Sequence, residues 1–284
     1  MEENMSMNAG MKLRSHLEWL NYKDTRLRTD KDSTERNLIV NLKTSLSQGA
    51  GFGTMVTLVE LLQQGAEDLG DRFAFKKDIC ELLFKNNQIC ETMLEGLDSI
   101  SSLLEHDFPV SRTRASLIME SIPQMIKAVI PFLPAKQLTL NIGELKHNCV
   151  IDASTEKLGL VMEELIINAY KYSEPGQSID VFAGISDGYF RILIKNTVTA
   201  NPPGGIPPEY ERLVLEPFIR LRATDESISS IEKYGVGLGL TVVDHIIRKH
   251  NGMFFIHNAK DHTDKVTKLA VLAEINLPVI IDET

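Results

Sequence analysis

The chain has 284 residues, of which 43% are hydrophobic and 24% are charged, enough for one large or two modest globular domains. Its formal net charge of -9 excludes a chain that attracts nucleic acid or an anionic membrane through overall charge. No apolar run approaches the roughly 20 residues of a membrane span, and the three cysteines form no CxxC pair. We therefore expect a cytoplasmic protein without a membrane span or a nucleic-acid partner.

The first third of the sequence predicts a polar segment followed by a helical hairpin. Residues 1–30 are mostly polar and charged, whereas residues 31–106 have apolar side chains at helical spacing, most regularly between 79 and 104. The glycine-rich run GAGFG interrupts the first helix, and residues 65–71 predict the turn between the two helices. A single hairpin exposes a wide apolar face, so we expect a homodimer in which two hairpins form a four-helix bundle.

Residues 107–284 mix helical and strand patterns. Helical periodicity predicts helices at 112–130, 156–172 and 240–249. Strand-like runs lie at 138–142, 179–183, 190–195, 253–257 and 269–277. This order predicts an α/β sandwich in which helices cover one face of a sheet, and an α+β class for the whole chain.

The helix EKLGLVMEELIINAYKYS carries the first candidate site. Glu164, Asn168 and Lys171 are spaced i, i+4 and i+7, so they form one polar stripe beside the buried face. An amide oxygen can ligate Mg²⁺, a carboxylate can accept a proton, and a lysine can neutralise phosphate. The alternative is an ordinary solvated helix face.

A glycine-rich run carries the second candidate site. The sequence YGVGLGL places Gly235, Gly237 and Gly239 directly before the amphipathic helix TVVDHIIRKH. Glycines let the backbone approach phosphate closely, and a helix N-terminus offers free N–H groups. The polar stretch 222–233 before it would form a mobile lid.

These runs resemble the ATP-binding domain of histidine kinases. EELIINAYKYS resembles the N box, YGVGLGL the G2 box, and GGIPPEYERLVLEPFIRL, with Phe218, the stretch from the G1 box into the F box. LDSISSLLEHDFPV is similar to the exit from the second dimerisation helix, and INLPV to the final strand. The resemblance covers most of residues 36–280. It implies the Bergerat fold, shared with gyrase-type ATPases and anti-sigma-factor serine kinases, and the ligand ATP·Mg²⁺.

The resemblance also implies a role for each site residue. Asn168 would ligate Mg²⁺, Glu164 would position or deprotonate a nucleophile, and Lys171 would contact phosphate. Tyr172 would line the nucleotide site, while the three glycines 235, 237 and 239 would hold the phosphates under the lid. Glu164 also resembles the general base of the ATPase and serine-kinase relatives, although it can equally be a tolerated variant.

The G1 box departs from the family pattern. The family places an aspartate at the end of a strand, where it accepts a hydrogen bond from the adenine amino group. Here the strand FRILIK ends in Asn196, before an insertion that precedes Gly204 and Gly205. An alternative register puts Asn201 at this position, but the alternation of Ile192 and Ile194 favours Asn196. An amide is uncharged, so its hydrogen bond to the base should be weaker.

The first dimerisation helix departs as well. The stretch that corresponds to the family's phosphoacceptor site is SLSQGAGFG, and the sequence has no histidine between His16 and His106. Autophosphorylation at the usual place is therefore excluded. His16, followed by Glu18, only loosely echoes an acceptor box.

Three functions remain open at this point. The first is an atypical histidine-kinase-like signalling protein that binds ATP·Mg²⁺ and transfers or regulates phosphoryl groups on a response regulator or another signalling protein. The second is an inactive adaptor dimer that docks a response regulator or another kinase. The third is a serine/threonine kinase or ATPase of the same superfamily, against which the long helical hairpin argues.

Overall fold

The computed structural model describes residues 52–105, 107–199, 204–211, 213–221, 226–228, 230–234, 237–263 and 266–280. The predicted polar segment 1–30, His16, His106, Asn201 and most of the stretch corresponding to the phosphoacceptor site lie outside these residues.

Two helices form an N-terminal hairpin. Helix α1 spans Phe52–Gly65 and packs on helix α2, which spans Lys77–Glu105. The connection is longer than the predicted turn, because strands β1 (Glu67–Asp68) and β2 (Phe73–Ala74) pair antiparallel between the helices. Helix α2 also contacts the last helix of the following domain, so the hairpin and the domain touch.

The rest of the described chain is built on a five-stranded sheet. From one edge to the other its strands are β4 (Thr139–Ile142), β6 (Ser178–Ser186), β7 (Tyr189–Thr197), β9 (Lys268–Pro278) and β8 (Met253–Asp261). Strands β4 and β6 are parallel, and the other pairs are antiparallel. The predicted α+β class is confirmed.

Helices α3 (Ala115–Met125), α4 (Thr155–Tyr172) and α5 (Gly239–Lys249) share one core with the sheet. Helix α4 begins where the Ser154 side chain accepts a hydrogen bond from the Lys157 backbone N–H, an N-cap. Along β7 the buried side chains alternate with less buried ones. This alternation places Ile192, Ile194 and Asn196 on the face towards the helices.

The predicted helix 112–130 is wrong at both ends. Ser111–Arg114 forms strand β3, which pairs antiparallel with the unpredicted strand β5 (Val150–Ala153). The helix ends at Met125, two residues after Pro123, and the chain continues into a 3-10 helix at Ile130–Lys136. Strand β3 forms by pairing with a segment about 40 residues away, which local periodicity does not reveal. The helical pattern was therefore extended over this strand by mistake.

Helix α3 and the 3-10 helix at Ile130–Lys136 follow each other with a bend of 66°. Among the helices of the described residues, none combines the length and the apolar composition that a membrane span requires. Taken together, the two bent segments meet that test by length and composition.

Candidate functional site

A cleft that is partly open to solvent lies between helices α4 and α5 and the sheet. Eight of the residues predicted from the sequence line it: Glu164, Asn168, Lys171, Tyr172, Asn196, Gly205, Gly237 and Gly239. Gly235 lies outside the described residues. The two separately predicted motifs, the polar helix stripe and the glycine-rich run, therefore meet in one cavity.

The polar stripe of α4 is not an ordinary solvated face, because Glu164 is buried and Asn168 and Lys171 are partly buried. The Asn168 side-chain nitrogen donates a hydrogen bond of 3.2 Å to Glu164 Oε1, and Glu164 is only 5% exposed. Burial raises the pKa of Glu164 to about 7, with Lys171 lowering it and Glu232 raising it. A carboxyl group with this pKa exchanges protons near neutral pH, which suits a general base.

Lys171 is held by a residue that sequence reasoning missed. Its ammonium nitrogen lies 2.5 Å from Glu232 Oε1, and both side chains are largely buried. The other oxygen, Glu232 Oε2, is buried and has no hydrogen-bond partner among the described residues. Glu232 falls in the stretch predicted as a lid. Its pairing with a lysine 61 residues earlier could not be predicted from any local sequence pattern.

At the two described glycines of the YGVGLGL run there is no room for a side chain. Gly237 has φ +89°, and a Cβ there would lie 2.9 Å from the Ile219 carbonyl oxygen. A Cβ on Gly239 would lie 1.8 Å from Glu164 Oε1. Gly239 therefore lets the first turn of α5 approach the Glu164 carboxyl group.

A second unpredicted residue, Asn258 on β8, fixes the loop after β7. Its side-chain oxygen accepts a hydrogen bond of 2.8 Å from the Ile206 backbone N–H, and its nitrogen donates one of 2.7 Å to the Ile206 carbonyl. Gly205 has φ +68°, and a Cβ there would lie 2.4 Å from the same Asn258 oxygen. The glycine and the asparagine together hold this edge of the cleft.

Asn196 lies at the end of β7, on the floor of the cleft. It pairs with Ile179 on β6 and Val271 on β9, and it is only 5% exposed. The cleft wall near it on the same strands is apolar, with Ile194 and Ala273. The strand alternation that favoured Asn196 over Asn201 is present in the structure, while Asn201 itself is not described.

The donor set suits a magnesium ion that is shared with a phosphorylated ligand. The Asn168 amide nitrogen is engaged by Glu164, so the amide oxygen is the atom left for a hard cation. Within the described residues, no group of three or more His, Cys, Asp or Glu side chains can hold a metal ion. Phosphate oxygens and water would have to complete the coordination, as Mg²⁺ prefers.

Comparison with known proteins places this cleft in a family. Residues 153–275 match the family model described as histidine kinase-, DNA gyrase B-, and HSP90-like ATPase. The chain carries a histidine-kinase-type ATP-binding domain. The matched range contains α4, the sheet strands β6 to β8, most of β9 and α5, and it includes every residue of the cleft named above.

The histidine-kinase-type domain also has relatives among sensor proteins and solved kinases. The sensor protein VanS of Enterococcus faecium is 29% identical over 154 residues, which cover 54% of this chain and 37% of VanS. The full-length kinase ShkA in complex with AMPPNP has a TM-score of 0.50, 14% identity, and covers 88% of this chain and 47% of ShkA.

The histidine kinase ThkA in complex with the response regulator TrrA also has a TM-score of 0.50. Its identity is 12%, and it covers 92% of this chain and 66% of that chain. At these identities the two structures show the fold alone, the Bergerat-type sandwich predicted from the motifs. The chain spans between 37% and 59% of the length of the first three curated relatives.

Proposed function

We propose that the cleft binds ATP·Mg²⁺ and that the chain acts in two-component signalling, where it transfers or regulates phosphoryl groups on a partner protein. The observation that carries this proposal is the meeting of Asn168, Glu164 and Lys171 with the glycines of the α5 N-terminus in one cleft. The family match of residues 153–275 supports it, as does a structural neighbour that was crystallised with AMPPNP.

The polar residues of α4 would have separate roles in phosphate binding and phosphoryl transfer. The Asn168 amide oxygen would ligate Mg²⁺, which supplies charge neutralisation when bound. Lys171 would exchange Glu232 for a phosphate oxygen, so nucleotide entry would release this part of the lid. Glu164, with its pKa near neutrality, would accept or orient the proton of the attacking group.

We further propose that the chain is a homodimer. Large apolar side chains of the hairpin are exposed: Val56, Val59, Leu82, Phe84 and Leu94. Two hairpins packed as a four-helix bundle would cover them. Sedimentation equilibrium should give a dimer for the wild type and a monomer for Phe84→Glu. A matched change in the ATP-binding domain, Phe182→Glu, should leave the dimer intact, and a wild-type monomer would contradict the proposal.

The partner that we propose is a response regulator or another signalling protein. The support is the ThkA structure, which contains a response regulator and covers 92% of this chain. An adaptor without catalysis is a second candidate, favoured by the lack of a histidine between His16 and His106 and by Asn196. A serine/threonine kinase or ATPase is favoured by the raised pKa of Glu164 alone.

Two measurements on one set of variants test the proposal. Calorimetry with AMPPNP and Mg²⁺ should detect binding to the wild type and a loss of about tenfold or more for Asn168→Ala. Asn87→Ala is the matched control, because Asn87 donates the same kind of i, i+4 hydrogen bond to Glu91 at an exposed position of helix α2. No binding at millimolar nucleotide would contradict the proposal.

Labelled ATP followed by phosphosite mapping separates the candidate functions. A phosphoryl group on this chain or a partner, lost in Asn168→Ala and kept in His16→Ala, would establish transfer and exclude His16 as acceptor. Nucleotide binding without any phosphorylated residue or ATP hydrolysis would favour the adaptor. Hydrolysis that is lost in Glu164→Gln, with no stable phosphoryl group, would favour the ATPase.

A further inference from the structure

Asn196 lines the cleft and carries an unused hydrogen-bond donor. Its side-chain nitrogen Nδ2 is buried and has no hydrogen-bond partner among the described residues. Buried donors in folded proteins nearly always have a partner, and an exception calls for an explanation such as a bound ligand. Since Asn196 lines the cleft, a ligand that enters the cleft can supply the missing acceptor.

The surroundings of Asn196 suit a planar, largely apolar group. The cleft wall near it is formed by Ile194 on its own strand, by Val271 and Ala273 on β9, and by Val198. Of the charged lining residues, Glu164 and Lys171 lie on α4, Glu232 lies in the lid, and Arg220 lies just before it, so none of them is on the sheet. The apolar wall fits the base of a nucleotide, so the Asn196 amide is the polar group placed to contact the edge of that base.

An amide contacts a purine differently from a carboxylate. A carboxylate can only accept hydrogen bonds, whereas an asparagine side chain offers one acceptor oxygen and two donor hydrogens. With a 6-aminopurine, Oδ1 accepts from the amino group and Nδ2 donates to ring N1. With a 6-oxopurine, Nδ2 donates to O6 and Oδ1 accepts from the N1 hydrogen. Rotation of the amide exchanges the two arrangements, and each of them engages the unused Nδ2.

We propose that Asn196 makes this cleft a purine site that accepts 6-oxopurine nucleotides as well as ATP. The inference rests on the proposed function, because it specifies the base for a nucleotide site in the same cleft. It assigns Asn196 as the residue that determines base specificity, through the donor that the structure leaves unpaired.

Inosine triphosphate is the sharpest probe, because it differs from ATP at ring positions 6 and 1 only. Calorimetry with Mg²⁺ should give dissociation constants for ATP and inosine triphosphate that differ by less than about tenfold in the wild type. Asn196→Asp should keep its affinity for ATP, but its affinity for inosine triphosphate should fall by about 100-fold or more. The reason is that a carboxylate oxygen faces O6 with no hydrogen between the two acceptors. Asn276→Asp is the matched control, since Asn276 is a buried asparagine of the same sheet outside the cleft.

The outcomes separate the two proposals. A wild type that binds ATP about 100-fold more tightly than inosine triphosphate would overturn the specificity inference and leave the proposed function intact. A wild type that binds neither nucleotide would overturn both. If Asn196→Asp fails to fold, the comparison of ATP and inosine triphosphate binding to the wild type still tests the inference. Asn196→Ala should weaken the binding of both nucleotides by a similar factor.

Discussion

The helical hairpin and the ATP-binding domain use their apolar residues in opposite ways. In the domain, α4 buries one complete face, including Leu158, which is 1% exposed. In the described part of the hairpin, the buried hydrophobic residues are Leu58, Cys90 and Met93, whereas Leu82 is 55% exposed and Phe84 is 67% exposed. The domain has a closed core, while the hairpin keeps an apolar face available for another surface.

This difference also changes the chemistry of equivalent polar pairs. Asn168 and Glu164 on α4 form the same i, i+4 hydrogen bond as Asn87 and Glu91 on α2. The pair on α4 is partly buried, with Glu164 only 5% exposed, and burial raises the pKa of Glu164 to about 7. The pair on α2 is exposed. The same side chains thus become a candidate catalytic unit only where the fold removes them from water.

Truncation of one leucine in each region should give the largest difference between the two regions, measured as the free energy of unfolding. Leu158→Ala leaves a cavity in the closed core and should lower the free energy of unfolding by about 2–5 kcal/mol. Leu82→Ala should change it by less than about 0.5 kcal/mol at protein concentrations low enough to keep the chain monomeric. Urea denaturation followed by circular dichroism measures both, and equal losses would contradict the contrast.

Adding one methyl group tests how closely the domain is packed at the site. Gly239→Ala places a Cβ against Glu164 Oε1 and should cost about 1–3 kcal/mol of stability, with weaker nucleotide binding. Gly184→Ala on β6 is the control, because a Cβ there meets no atom within 4 Å. Thermal melting with and without AMPPNP checks both. A Gly239→Ala variant that melts and binds like the Gly184→Ala variant would show that Glu164 is not fixed in place.

The pH dependence of stability tests the burial of Glu164. Burial raises its pKa from an ordinary 4.5 to about 7. Below pH 4.5 the carboxyl group is protonated in both the folded and the unfolded chain, so its burial has no pH-dependent cost. Between pH 4.5 and 7 the unfolded chain releases the proton first, so the stability of the folded chain falls as pH rises. Glu164→Gln should therefore be more stable than the wild type by roughly 1–3 kcal/mol at pH 8 and by little at pH 4.5. Glu91→Gln on α2 is the exposed control. A constant difference across this range would contradict the raised pKa.

The smallest effect concerns His250, at the end of α5. Its ring accepts a hydrogen bond from the Ser154 N–H at Nε2, and Nδ1 donates to the Ile246 carbonyl, so the neutral ring fits. Burial lowers its pKa below the ordinary 6.5. The unfolded chain takes up the proton first, so the domain should lose up to about 1 kcal/mol of stability between pH 6.5 and 5.5.

Replacement of the histidine by glutamine isolates this effect. His250→Gln should remove the loss of stability between pH 6.5 and 5.5, whereas His257→Gln, at an exposed position of β8, should retain it. Urea denaturation at a series of pH values measures it. An unchanged loss in the His250→Gln variant would assign it to another group.

The features that the sequence predicted are those that local patterns determine. The i, i+4, i+7 spacing of α4 placed Glu164, Asn168 and Lys171 on one face, and the alternation along β7 placed Asn196 among buried residues. Both follow from the geometry of a helix or a strand alone. The same local reasoning failed at Ser111–Arg114, where pairing with β5 overrides the helical pattern.

Contacts between distant segments were not predictable in this way. The Lys171–Glu232 ion pair joins residues 61 positions apart, and the Asn258–Ile206 hydrogen bonds join residues 52 positions apart. Neither glutamate nor asparagine stands out in its own segment, because the partner is brought near only when the sheet and the helices assemble. The glycine spacing predicted close backbone approach, but the neighbour of Gly239 is Glu164, which only the fold reveals.

Hydrogen–deuterium exchange with AMPPNP and Mg²⁺ tests most directly that a nucleotide enters this cleft. We expect protection at residues 164–172 of α4, 194–198 around the end of β7 and 237–242 at the start of α5. Residues 77–98 of the hairpin should exchange as before. Absence of protection at millimolar nucleotide, or protection confined to the hairpin, would contradict the assignment of the cleft.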